Sequence, residues 1–184
     1  MTFDPDLYWA AQGSALASES VSPEHKETEL ILRSLLRQRI SLQSVIDVGC
    51  GMGRLAKVLK EELPDVKYAG LDLGQEQLDG TREVRPDGEF YLSRLQDFIP
   101  DKRWDLAICS EVLLHIPPLD IKNAVLNLER LAPWLILIDW TETVSGQIAE
   151  WNWLYDYDRL FRRSEIVERY RVGLQTVFLI NTGA

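Results

Sequence analysis

The most informative stretch of the sequence is a glycine-rich segment, Val45–Arg54. Gly49, Gly51 and Gly53 stand at alternate positions there, between an apolar run and a helical pattern. Glycine lets a backbone turn tightly and lets a ligand approach where a β-carbon would clash. Asp47 comes just before the loop, where its carboxylate would attract a cationic amino group and repel a pyrophosphate. We therefore expect this segment to bind a small molecule over the start of the next helix.

A dinucleotide is a competing ligand for the same loop. The residues from Gly51 to Ala56 fit the pattern G-x-G-x-x-A, and Asp72 follows Gly53 by 19 residues. Dinucleotide-binding folds place the acid that binds the ribose at a similar spacing. The spacing alone leaves NAD open. The carboxylate of Asp47, and a chain too short to add a separate catalytic domain, favour another ligand.

The pattern of apolar residues alternates along the chain between strand-like and helix-like. Almost continuous apolar runs predict strands at Ser44–Val48, Lys67–Leu71, Glu89–Leu92, Trp104–Ser110 and Trp134–Asp139. Helical patterns follow the capping residue Ser22 and cover Arg54–Glu62, Gln75–Val84 and Leu119–Leu131. The last two runs, Ile166–Val172 and Thr176–Ile180, predict an antiparallel hairpin. The alternation predicts an α/β fold with a doubly wound, seven-stranded sheet that is mostly parallel and ends in this hairpin.

Four separated segments carry a family resemblance: Asp47–Gly53, Ala69–Leu73, Leu95–Phe98 and Asp105–His115. In this order they resemble the motifs of class I S-adenosylmethionine-dependent methyltransferases of the small type 11/12 family, over about residues 30 to 140. The resemblance implies one Rossmann-like methyltransferase domain over residues 1–184. Within it, 1–43 would be an N-terminal helical cap segment, 44–140 the cofactor-binding core, and 141–184 an acceptor-side segment with the terminal hairpin.

The resemblance also implies which residues hold the cofactor S-adenosyl-L-methionine and its product S-adenosyl-L-homocysteine. Asp47 and the glycine loop would cradle the amino-acid part, Asp72 would accept from both ribose hydroxyls, and Asp97 would accept from the adenine amino group. The full expected cofactor set is Asp47, Gly49, Cys50, Gly51, Gly53, Asp72, Leu73, Gln96, Asp97, Phe98 and Ser110. Taken singly, Asp72 and Asp97 are equally typical of turns and caps.

Methyl transfer requires a nucleophile in line with the methyl carbon and the exclusion of water, so acid–base groups are optional. His115, just beyond the fourth strand, is the candidate general base for a hydroxyl acceptor, with ordering of its loop as the alternative role. His25 begins a polar helix and is expected to be exposed. No metal is expected, because Ser110 stands where an acidic ligand would be needed and Cys and His are too few for zinc.

Aromatic residues are concentrated near the N-terminus and after the fifth strand, outside the expected cofactor core. Such side chains can form a partly apolar acceptor pocket with a few polar contacts. The expected acceptor-binding set is Tyr8, Trp9, Trp140, Tyr155, Asp156 and Tyr157. Core packing explains the same density equally well, because part of this segment has helical spacing.

The charge balance bears on the partners. The chain has 20 Lys and Arg against 29 Asp and Glu, a net charge of −9. This disfavours a nucleic-acid partner, whose phosphates need a positive surface. A local basic patch remains possible at Arg159, Arg162, Arg163, Arg169 and Arg171. Because no apolar run reaches the roughly 18 residues that span a bilayer, no membrane partner is expected.

Two cysteines in apolar contexts, Cys50 and Cys109, are expected to be reduced thiols of a cytoplasmic protein. The expected function is methyl transfer to an oxygen or nitrogen of a small-molecule acceptor. RNA or protein methylation is an alternative, and so is a catalytically silent S-adenosylmethionine-binding protein. The oligomeric state is left open.

Overall fold

The computed structural model describes residues 4–11, 22–38, 41–142 and 152–183. Within them, seven strands form one sheet in the order β3-β2-β1-β4-β5-β7-β6. The strands are β1 Ser44–Val48, β2 Lys67–Asp72, β3 Glu89–Leu92, β4 Leu106–Ser110, β5 Trp134–Trp140, β6 Glu165–Val172 and β7 Gln175–Asn181. The helices are α1 Pro5–Ala10, α2 Pro23–Arg37, α3 Arg54–Glu62, α4 Gln75–Val84, α5 Ile121–Leu131 and α6 Tyr157–Leu160. Single 3-10 turns lie at Leu95–Asp97 and Leu113–His115.

The sheet confirms the predicted α/β class and hairpin. The first five strands pair in parallel, whereas β7 pairs antiparallel with both β5 and β6. β1 lies between β2 and β4, so the direction in which strands are added reverses at β1. Open α/β sheets bind ligands at the carboxyl edge beside such a reversal.

Two predicted boundaries are wrong by two residues each. β4 begins at Leu106 because Trp104 and Asp105 make bonds outside the strand: the Trp104 N–H donates to the Leu131 carbonyl, and the Asp105 carboxylate accepts from the backbone of Gln43 and Ser44. α5 begins at Ile121 rather than Leu119 because the Pro117 carbonyl closes a separate turn.

Helices cover both faces of the sheet. On one face Leu32, Leu35 and Leu36 of α2 pack with α3 against Val45, and all four of these side chains are buried. On the other face α5 packs against Ile46 and its neighbours. Because side chains alternate along a strand, Asp47 shares the face of Val45 and points toward the helices α2 and α3.

The N-terminal helices differ in how well the sequence predicts them. Ser22 caps α2 as expected, since its hydroxyl accepts from the backbone N–H of His25. α1 was not predicted, because six residues are too few to show a helical period. Among the described residues no helix is long and apolar enough to cross a membrane.

Candidate functional site

The glycine loop and the residues after β4 meet at the carboxyl edge of the sheet, on either side of the reversal at β1. Gly49, Gly51 and Gly53 all adopt the left-handed conformation, with φ of 70°, 53° and 85°. The loop is tied to β2, because the N–H groups of Gly49 and Cys50 both donate to the Leu71 carbonyl, at 2.7 and 3.2 Å. The loop is therefore a fixed backbone surface.

Two glycines of the loop have different surroundings. A β-carbon on Gly49 would lie 2.3 Å from Cγ2 of Val112, so this glycine is needed for packing against the loop after β4. A β-carbon on Gly51 would meet nothing within 4 Å. The open space at Gly51 is where a ligand can approach the backbone of the loop.

Asp72 lies directly beside this open space, at the end of β2. One of its carboxylate oxygens accepts from the Gly51 N–H at 2.9 Å, and the other accepts from the Gly74 N–H at 3.0 Å. Burial raises the pKa of Asp72, while these backbone donors oppose the shift. A hydrogen bond thus joins Gly51 and Asp72, two residues of the expected cofactor set. The half-buried Leu73 follows Asp72 in the chain.

Asp47 is buried beneath the loop, with 1% of its surface exposed. Its carboxylate accepts from the Tyr68 hydroxyl at 3.1 Å. Burial raises the pKa of Asp47 to about 7, against the opposing effects of Tyr68 and the positive charge of Arg54. Near neutral pH this carboxyl is therefore able to bind or release a proton in response to a nearby charge.

Sequence reasoning missed Arg54, the first residue of α3. Its Nη2 donates to the hydroxyl of Ser110, a predicted cofactor residue, at 3.2 Å. Its Nη1 is buried, and within the described residues it has no hydrogen-bond partner. An unpaired buried guanidinium nitrogen is costly, so this atom marks a place for an acceptor group of a ligand. A basic residue directly after the glycine loop was the available signal.

Three residues of the expected cofactor set, Gln96, Asp97 and Phe98, lie together around the 3-10 turn after β3. Asp97 is exposed and pairs with Arg94 at 2.8 Å. Phe98 is buried against Tyr91, with ring centroids 5.1 Å apart, and the Gln96 carbonyl accepts from the Asn127 side chain at 3.1 Å. None of these contacts joins the turn to the glycine loop.

His115 lies after β4 in an ordered setting. Its Nδ1 is 2.8 Å from Oδ1 of Asn152, and its ring packs on Trp9 with centroids 4.1 Å apart. The Trp9 carbonyl accepts from the Gln77 side chain of α4 at 2.7 Å. Because α4 follows β2 and His115 follows β4, α1 bridges the carboxyl edge across β1, with Tyr8 beside Trp9.

The expected acceptor residues after β5 separate into two groups. Trp140 is half-buried at the end of β5, and the Tyr155 hydroxyl donates to the Ile116 carbonyl at 2.5 Å, close to the His115 loop. Asp156 instead caps α6 by accepting from the Arg159 N–H. Tyr157 is 3% exposed and packs on Phe178 in the core. Tyr157 therefore packs in the core, which was the alternative to its expected place in an acceptor pocket.

The expectation that His25 is exposed was wrong. Its Nε2 lies 2.6 Å from Oε1 of Glu111, and each side chain is 27% exposed. The sequence gives no sign of this contact, because 86 residues separate the partners.

The five arginines of the possible basic patch fall into two groups. Arg169 pairs with Asp158 and Arg171 with Glu142, which neutralises both. Arg159, Arg162 and Arg163 line a groove of about 460 Å³ beside α5. Its other lining residues are Lys122, the acids Glu129 and Asp156, Tyr155 and four aliphatic side chains. Three of the five arginines therefore share one groove. In the described part of the chain, no group of three or more His, Cys, Asp or Glu residues has a metal-binding arrangement.

The two loop glycines provide a matched prediction. Gly49→Ala adds both left-handed strain and a clash with Val112, so we expect a loss of about 2–4 kcal/mol in the free energy of unfolding. Gly51→Ala adds only the strain, about 1 kcal/mol. Urea unfolding of both variants measures the difference. Equal losses would contradict the assigned packing of Gly49.

Asp47 provides a prediction about pH. Its pKa is raised on folding, so the native state holds a proton that the unfolded chain releases between about pH 4 and about pH 7. The stability contribution of Asp47 therefore falls as pH rises through this window. We expect Asp47→Asn to gain stability relative to wild type across it, by up to about 1.4 kcal/mol per pH unit. Urea unfolding at several pH values measures this, with the exposed Asp79→Asn as control. A constant difference between Asp47→Asn and wild type would contradict the assignment.

Comparisons with known proteins agree with this geometry. Residues 23–170 match the model of a methyltransferase domain family. The ubiquinone biosynthesis O-methyltransferase of Yersinia pestis is 30% identical over 183 residues, covering 83% of this chain and 74% of the relative.

Solved structures share the fold at low identity. The magnesium protoporphyrin IX methyltransferase of Synechocystis PCC 6803, crystallised with S-adenosylhomocysteine, superposes with a TM-score of 0.75 at 18% identity, over 97% of this chain and 99% of that one. The 16S rRNA methylase RmtB gives 0.65 at 21% identity, over 98% and 75%. The family match covers most of the sequence and includes the loop, Asp72 and the His115 segment. The chain therefore belongs to the methyltransferase domain family and is a class I S-adenosylmethionine-dependent methyltransferase.

Proposed function

We propose that this enzyme transfers a methyl group to an oxygen or nitrogen of a small-molecule acceptor at the carboxyl edge beside β1 and β4. The observation that carries the proposal is the open backbone at Gly51, joined to the carboxylate of Asp72. No other described part of the chain combines a ligand-accessible loop with a fixed acid in this way.

The residues present fit S-adenosylmethionine, whose ribose diol, ammonium and carboxylate need different partners. Asp72 is held by two backbone donors and has lone pairs left for ribose hydroxyls. Asp47 provides a buried carboxyl for the cationic end. The unpaired Nη1 of Arg54 suits a carboxylate, because guanidinium–carboxylate bonds are strong. The rest of the expected set, including Gln96, Asp97 and Phe98, is proposed for the adenine.

When bound, the cofactor supplies an electrophilic methyl group attached to a sulfonium. The protein's own contribution is alignment and exclusion of water. α1 bridges the site through Trp9, which touches the His115 loop and Gln77. His115 is held by Asn152 and Trp9, and these contacts support its role in ordering the loop.

The acceptor is proposed to lie among Tyr8, Trp9, Trp140 and Tyr155, next to the His115 loop. One relative is named for ubiquinone biosynthesis, and one structural neighbour is named for magnesium protoporphyrin. Both names support a small-molecule acceptor. The neighbour named for 16S rRNA is the counter-example, and the net charge of −9 argues against RNA. Cytoplasmic location is proposed on the two buried free thiols, Cys50 and Cys109.

Calorimetry tests the cofactor site. We expect wild type to bind S-adenosylmethionine and S-adenosylhomocysteine, and Asp72→Asn to bind both roughly 10- to 100-fold more weakly, because hydrogen bonds to a charged group are lost. Asp79→Asn is the matched control on α4. Failure of wild type to bind either compound would overturn the proposed function.

Turnover tests the acceptor class. S-adenosylhomocysteine release is measured with a panel of catechols, phenols, carboxylic acids and amines, and separately with ribosomal RNA and with peptides. We expect release with members of the small-molecule panel. Release with RNA or peptides alone would replace the proposal by the corresponding alternative, and tight cofactor binding with no release on any arm would support a silent binding protein.

A further inference from the structure

His25 and Glu111 form a half-buried pair at the same edge of the sheet as the proposed site. His25 lies in the first turn of α2, and Glu111 directly follows Ser110 at the end of β4. Their side chains meet at 2.6 Å, between Nε2 and Oε1. The pair therefore connects α2 with the loop that follows β4. This loop starts beside the glycine loop and carries His115.

The backbone of Glu111 is strained. Its φ is 56°, and among the described residues it is the only non-glycine with positive φ. Such a conformation persists only where the surroundings fix it. Here the Glu111 N–H donates to the Ile138 carbonyl at 2.8 Å, and its Oε1 also accepts from the Gln175 side chain of β7 at 2.5 Å. α2 and β7 thus hold the Glu111 carboxylate, while β5 holds its backbone N–H.

The charges around the pair favour an ionised Glu111. Burial raises the pKa of Glu111, but the bonds from His25 and Gln175 and the positive charges of His25 and Arg54 lower it overall. Two other carboxyl groups interact with the pair: Asp139 on β5, whose pKa Glu111 helps to raise, and Glu24 on α2, whose pKa His25 helps to lower.

An ionised Glu111 selects one form of the neutral imidazole. His25 must donate its Nε2–H to the carboxylate, which leaves the lone pair on Nδ1. In the described part of the chain Nδ1 has no hydrogen-bond partner, and the ring is partly exposed. The arrangement is that of a proton acceptor oriented by a carboxylate. His115 differs, because its Nδ1 is already paired with the neutral Asn152.

We propose that His25, oriented by Glu111, accepts the proton from the acceptor's O–H or N–H group during methyl transfer. This rests on the proposed function above. The acceptor oxygen or nitrogen forms the new bond to the methyl carbon, and the electron pair of the broken S–C bond goes to sulfur. The acceptor's proton passes to Nδ1 of His25, and the resulting positive charge is stabilised by Glu111 before release to water.

The proposal gives α2 a role in the reaction. Its N-terminus carries the base, while Leu32, Leu35 and Leu36 fix the helix on the sheet. The side chain of Gln175 acts as a positioning group, because it donates to the Glu111 carboxylate that orients His25.

The variants are His25→Gln, Glu111→Gln and His115→Gln, with the exposed Lys26→Gln as control on the same helix. Each is first compared with wild type by thermal unfolding and by calorimetry with S-adenosylhomocysteine. The acceptor used is the small molecule that gives the highest turnover in the panel. We expect His25→Gln to lower kcat by about 100-fold or more with little change in KM. Glu111→Gln should lower kcat less, and Lys26→Gln should leave kcat unchanged.

The pH profile separates a proton acceptor from a structural contact. Wild type and His115→Gln should lose turnover at low pH, because a protonated imidazole has no lone pair to accept the proton. In His25→Gln this acid limb should be missing. If His25→Gln binds S-adenosylhomocysteine and keeps both the wild-type kcat and the wild-type acid limb, the proposal is overturned while the proposed function stands.

A second test of the proposal, by NMR, does not depend on turnover. Imidazole ¹⁵N–¹H correlation spectra of the free enzyme, assigned with His25→Gln, report which ring nitrogen of neutral His25 is protonated. We expect protonated Nε2 and unprotonated Nδ1 in wild type, and a mixture of tautomers in Glu111→Gln. Protonated Nδ1 in wild type would overturn the proposal even if Glu111→Gln fails to fold.

Discussion

The structure of the site depends on the contact between the glycine loop and the end of β2. The Gly51 N–H and the carboxylate of Asp72 make this contact at 2.9 Å, and the Leu71 carbonyl accepts two further N–H groups of the loop. A loop with three left-handed glycines at alternate positions would otherwise have many conformations, because glycine has the largest backbone entropy to lose. Tied to β2, it presents one surface to a ligand, beside an acid already in position.

Charge is the second organising feature of this edge. Asp47 and Asp139 are fully buried carboxyl groups, and burial raises the pKa of both to about 7. Glu111 is 27% exposed, and the bonds from His25 and Gln175 hold its pKa below the usual value. The difference lies in the donors, because Asp47 receives only a phenolic hydroxyl. A cation at this edge would have near it the ionised Glu111, the carboxylate of Asp72, and two carboxyls, Asp47 and Asp139, that are able to release a proton.

Much of the fold followed from local patterns. The apolar strands, the cap at Ser22 and the alternation of strands with helices each depend on neighbouring residues. The α/β class and the terminal hairpin were therefore predictable. The start of β4 was not, because it depends on contacts between distant residues: Trp104 bonds to Leu131, and Asp105 bonds to Gln43 and Ser44. Tyr157 shows the same limit, since spacing alone does not separate a pocket from the core.

The sequence by itself determined the glycine loop, the acid nineteen residues after it and, through the family resemblance, the expected class of cofactor, because closely spaced residues on a predictable strand–turn–helix unit carry these motifs. Only the tertiary structure decided which side chains face this site from elsewhere. His25 meets Glu111 across 86 residues, Trp9 meets His115, and Arg54 meets Ser110 across 56. Such contacts form when α1, α2 and α3 pack onto a completed sheet, and no local pattern records which distant side chains that packing brings together.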